Sequence, residues 1–125
     1  MDLRVEKTKQ NIQAAFLDLR RRKPLEKITV KELCQGARIH KSTFYVHYED
    51  LYALSDALET EVVERVIFGL PRPEDVLEHP GRFTRELFRS YAAQEETIQV
   101  LFSGSRSGRL VEKLEEGLKQ LVFRQ

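Results

Sequence analysis

Residues 28–50, ITVKELCQGARIHKSTFYVHYED, decide how the rest of the chain is read. They divide into two short helices joined by a tight turn. Thr29 has the chemistry of an N-cap and Glu32 stands three residues on, so the pair predicts a capping box that opens a helix over 30–35. Leu33 is its inward anchor, with Cys34 or Ala37 on the neighbouring face. Gly36, Ala37 and Arg38 supply the turn, Ile39 plugs it, and a second helix follows over 40–46. This helix is expected to bury Phe44, with Tyr48 beside it, and to expose Lys41, Ser42, Thr43, Tyr45 and His47. A short helix fronted by lysine, hydroxyls and imidazole suits duplex DNA. Residues at its start reach base edges in the major groove, while hydroxyls and imidazole hold phosphates.

Charge points the same way once it is divided along the chain. The formal net charge is +1, yet residues 1–48 hold eleven Lys/Arg against five Asp/Glu, and residues 49–125 hold ten against fifteen. A basic first part on an acidic second part is what attraction to a phosphate backbone requires; a merely solvated surface explains single charges but not their segregation.

Composition bounds the remainder. Helix formers dominate, Gly and Pro are few, and no run alternates Val, Ile and Thr, so an all-α fold is expected. No apolar run approaches the ~18 residues of a membrane span, and MDLRVEKTKQ lacks the apolar centre of a secretory signal. Cys34 is the single cysteine, which excludes an internal disulfide, fits a cytoplasmic location, and reads as a small core residue. Of the three histidines, the second helix accounts for His40 and His47, leaving His79. No His/Cys/Asp spacing suits a metal, no Gly-rich loop suits a phosphate, and the adjacent pairs Glu95-Glu96 and Glu115-Glu116 do not face each other on a helix. Neither enzyme activity, cofactor nor metal is expected.

The other helices follow from apolar spacing. A first helix to Arg21 carries Ile12, Ala15, Phe16 and Leu19 toward the helix pair, closing a three-helix core. Arg20-Arg21-Arg22-Lys23 then stands before Pro24, and two readings stay open: a contact to the DNA backbone, or a solvated helix end aided by the helix dipole. Asp50 caps a long helix to Phe68, with a stripe of Leu51, Leu54, Leu58, Val62, Val66 and Leu70 buried along one side and Ala57 and Val63 beside it. Pro71-Arg72-Pro73 breaks the chain, 74–78 forms one turn, and helices are expected over 81–94, 95–102 and 109–123. Residues 103–108, Ser-Gly-Ser-Arg-Ser-Gly, read as a flexible polar connection.

The run ARIHKSTFYVHY resembles the recognition segment of the tetracycline-repressor (TetR) family, in which an Ala-Gly-Val-Ser-x-Gly-Thr-Leu-Tyr-x-His/Tyr-Phe pattern stands here; ITVKEL is similar to that family's preceding helix start. The likeness spans residues 5–66 and is strongest over 28–54. It implies a helix-turn-helix DNA-binding domain over 5–66, with the motif at about 29–48, and a helical regulatory and dimerisation region over 67–125. It further implies a bacterial regulator, usually a repressor, that binds a palindromic operator in double-stranded DNA as a homodimer. The implied DNA-contacting set is Thr29, Lys31, Lys41, Ser42, Thr43, Tyr45 and His47. A small-molecule effector of unknown identity is implied as well; Phe83, Phe88, Tyr91 and Phe102 either line its pocket or are plain core. Three positions depart from the pattern: Arg38 for Gly, Ser42 for Gly, and Leu51 for a phosphate-binding Lys. If the turn needs a positive φ, either Arg38 adopts it at a steric cost or Gly36 absorbs it. The family continues into two further long helices, so the C-terminal region is expected to be incomplete, its last apolar face covered by a twin subunit. The competing class is a TetR-like interaction module that has lost sequence-specific DNA binding and acts through protein partners.

Overall fold

The computed structural model describes residues 2–72 and 74–123; among them every regular element is helical. Helix α1 (Leu3–Arg22) is capped by the Asp2 carboxylate, which accepts from the Arg4 amide at 2.9 Å. A 3-10 turn, Leu25–Lys27, leads through Pro24 and Ile28 into α2 (Val30–Ala37), and α3 (Lys41–His47) follows after a tight turn. Helix α4 (Leu51–Phe68) starts on the Asp50 carboxylate, which accepts from the Ala53 amide at 2.8 Å. It ends at Gly69, before Pro71; Pro73 lies outside the described residues. The short α5 (Asp75–Glu78) is followed by α6 (Pro80–Ala93), α7 (Glu95–Leu101) and α8 (Arg109–Phe123), and α6 begins on a proline whose missing N–H is not needed there.

One contiguous apolar cluster holds these helices. Ile12 and Phe16 from α1, Leu33 from α2 and Phe44 from α3 are fully buried, as are Leu54, Val62 and Val66 from α4 and Leu101 from α7. Helix α1 packs on α2 and α7, α2 on α3, and α4 on α6, α7 and α8. Contact on three sides widens the single buried stripe expected of α4: Ser55 and Glu59 are buried as well.

Glu59 is the centre of a polar network. It accepts from the Ser55 hydroxyl at 2.8 Å, from Arg106 Nε at 2.8 Å and Nη2 at 3.0 Å, and from Arg109 Nε at 2.9 Å. Arg109 also pairs with Asp56, to which Lys113 donates at 2.8 Å. Residues 103–108 are therefore not a free connection. They include a 3-10 turn, Gly104–Arg106, whose arginine clamps α4, and the Ser105 hydroxyl donates to Glu26. A buried carboxylate needs this many donors because desolvation penalises its charge.

Within the basic cluster at the end of α1, Arg20 departs from both readings of it. Arg20 is buried, and its guanidinium donates to the carbonyls of Leu101 at 3.1 Å and Ser103 at 3.3 Å, which caps the C-terminus of α7. Arg22 pairs with Asp18 and Lys23 with Glu32, and Arg21 lies 3.6 Å from Glu96. Arg20 and Lys23 thus tie the end of α1 to α7 and α2, whereas Arg21 and Arg22 stay exposed in surface pairs.

Candidate nucleic-acid interface

The surface built by α2 and α3 begins with the capping box. The Thr29 hydroxyl oxygen accepts from the Glu32 amide at 3.1 Å, and the Thr29 amide donates to the Glu32 carboxylate at 2.9 Å. The Thr29 hydroxyl proton stays available for a further acceptor, whereas its backbone amide does not. Glu32 also accepts from Lys23 Nζ at 2.7 Å, so the one carboxylate of α2 is neutralised from within the fold. Those two interactions, Lys23 first and the Thr29 amide second, hold its carboxyl below the ordinary glutamate value.

The turn between the helices is set by Arg38, which takes φ 59° and ψ 48°. The Arg38 amide donates to the Gln35 carbonyl at 3.3 Å and the Ile39 amide to the Cys34 carbonyl at 3.0 Å, the pair of bonds that defines a Schellman ending. Arg38, not Gly36, absorbs the left-handed conformation. Ile39 packs against the core and fixes where α3 starts. Cys34 is buried beneath the turn; burial pushes its thiol up, which makes it a poor nucleophile and a good filler.

Helix α3 is anchored by Phe44, fully buried, with the rings of Tyr45 edge-on at 5.2 Å and Tyr48 tilted at 6.0 Å. Lys41, Ser42 and Tyr45 are exposed, the last at 54 %, and Lys31 and Thr29 are exposed on the adjoining start of α2. Thr43 and His47 are half-buried, one turn apart along the side of α3, and this limits how far each reaches outward. Among the described residues Lys31, Lys41, Ser42 and Tyr45 have no side-chain hydrogen bond or ion pair. Their donors are unused by the fold. Leu51, the first residue of α4, is buried in the core and offers nothing to a phosphate.

The four aromatic residues considered for an effector pocket differ widely in burial. Phe102 is core, Phe83 and Tyr91 are half-buried, and Phe88 is 70 % exposed on α6. A groove of about 500 Å³ runs instead between α4 and α8, lined by Val63, Ile67, Phe68 and Leu121 with Thr60 and Lys113. On the apolar face of α8, Val111 and Val122 are exposed. The carboxylates of Glu95, Glu96, Glu115 and Glu116 all face solvent, no group of three His, Cys, Asp or Glu among the described residues is placed to hold a metal ion, and no helix is long and apolar enough to cross a membrane.

Comparison with family models, with curated proteins and with solved structures finds no match to this chain.

Proposed function

We propose that the chain is a DNA-binding transcriptional regulator that inserts α3 into the major groove of duplex DNA, as its resemblance to the tetracycline-repressor family over residues 28–54 implies. The observation that carries this reading is the outward side of α3 and the start of α2. There Lys31, Lys41, Ser42 and Tyr45 present donors that the fold leaves unused, on a helix held rigidly by Phe44. Lys31 and Lys41 would neutralise phosphates or reach base edges, Ser42 and Thr43 would face bases, and Tyr45 and His47 would hold the backbone. The Thr29 hydroxyl adds one donor at the start of α2, where the first-turn amides of Val30 and Lys31 have no acceptor within the helix. Repression, a palindromic operator read by a homodimer, and release by an effector are the finer parts of the same proposal.

Selection of bound duplexes from a random pool, followed by sequencing, tests it. The reading predicts enrichment of one motif with two inverted half-sites. Recovery of unenriched sequence would contradict it. The competing reading, an interaction module without operator binding, has one observation in its favour: the burial of Leu51 removes a phosphate contact that the family uses. Failure of the chain to bind random duplex at low salt would favour that module.

A further inference from the structure

Val46 is 79 % exposed on α3, yet it stands among residues that offer hydrogen bonds. At about 100° per residue, Val46 and Ser42 each lie roughly 160° round the helix axis from buried Phe44, farther than any other residue of α3. They form one ridge, four residues apart, and mark the outermost line of the helix. A valine there is unfavourable twice over, since a β-branched residue lowers helix propensity and its methyls meet water. Its single preferred rotamer, in return, holds those methyls at a fixed height above the helix. Resting on the proposal that α3 enters the major groove, we infer that Val46 reads the C5-methyl group of a thymine in each half-site.

The chemistry selects that partner. In the major groove the edges of guanine, cytosine and adenine present only donors and acceptors, and the thymine methyl is the one apolar feature. A valine against the cytosine amino group or guanine O6 would strip water from a polar atom and return no hydrogen bond. Against the thymine methyl it removes apolar surface from water on both partners. Ser42, one turn earlier on the same ridge, can donate or accept and so serves the neighbouring base of either type. Exposed Lys41 and Lys31 supply the charge that draws the ridge toward a phosphate-lined groove.

The test uses the full chain on its selected duplex. Each thymine is replaced in turn by deoxyuridine, which removes only the methyl, and affinities are measured for the native chain and for Val46→Ala. At one position in each half-site, deoxyuridine should weaken the native chain by about fourfold, the worth of one buried methyl. Replacing that thymine by 5-methylcytosine should give tighter binding than cytosine by a similar factor. Both differences should fall below about twofold in Val46→Ala. Because Val46 is exposed and alanine is the better helix former, that variant should unfold at the same temperature as the native chain or slightly above it. A native chain indifferent to the methyl at every position overturns the inference, and so does a Val46→Ala chain as sensitive as the native one. Failure to select any preferred duplex overturns it together with DNA reading, whereas a preferred but methyl-blind duplex overturns this inference alone.

Discussion

Arg38 carries a backbone conformation for which its side chain is ill suited. At φ 59° the Cβ crowds the following carbonyl, at a cost of about 1 kcal/mol relative to glycine. Arg38→Gly should therefore raise the unfolding free energy by roughly 0.5–1 kcal/mol, read from urea melts, since the gain in unfolded-state entropy offsets part of the relief. A loss of stability would show that the guanidinium contributes more than the turn geometry costs. Lys41 and Tyr45 make the opposite kind of prediction, because the fold does not use their polar ends. Lys41→Ala should leave the melting temperature within a degree or two while weakening operator binding by roughly 1–3 kcal/mol and reducing the salt slope by about 1. A drop in stability without loss of binding would assign these residues to the fold instead.

The helices themselves are held by a few polar fixtures. Thr29→Ala removes the hydroxyl that caps α2 and should cost about 1 kcal/mol. Glu32 adds a pH dependence to the same element. Folding lowers its carboxyl pKa, so its contribution is complete above the ordinary glutamate value and is lost as pH falls through the lowered folded value. Urea midpoints measured across the acid range should fall less steeply for Glu32→Gln than for the native chain; parallel curves would contradict the assignment. Glu59→Ala is the severe change, since it leaves Arg106 and Arg109 facing a buried void, and a loss of about 3–5 kcal/mol is expected in the same melts. The start of α2 and the boundaries of α4 and α8 were legible in the sequence because caps and apolar spacing are local, whereas α2 runs on through Gly36 and Ala37, which read as turn, and α3 lies one residue later than its spacing suggested. The Glu59 network was not. Its partners lie 47 and 50 residues away, and a Ser/Gly-rich hexapeptide gives no local sign that its one arginine will be buried against them. Arg20 misled for the same reason, since the carbonyls it caps are 81 and 83 residues distant.

Across the whole molecule, the charge segregation visible in the sequence is partly consumed by the fold. Arg20 and Lys23 are committed to internal partners, Arg21 and Arg22 stay exposed in surface pairs, and Lys31, Arg38 and Lys41 are exposed on α2, the turn and the start of α3. Burial of Arg20 and pairing of Lys23 remove two cations from any phosphate contact, so the salt dependence of binding should be shallower than the count over residues 1–48 implies. The candidate site was readable as residue types at helical spacing; the half-burial of Thr43 and His47 and the prominence of Val46 were not, because they depend on how α3 rolls over Phe44. The central claim is that the unused donors of α3 contact duplex DNA. Fluorescence anisotropy of the selected duplex, titrated with the native chain and with the Lys41→Ala, Tyr45→Ala double variant at two salt concentrations, tests it most directly. The account predicts a saturable native isotherm that weakens as salt rises and at least about a tenfold loss in the double variant. Superimposable isotherms for the two proteins, or no native binding at low salt, would contradict it.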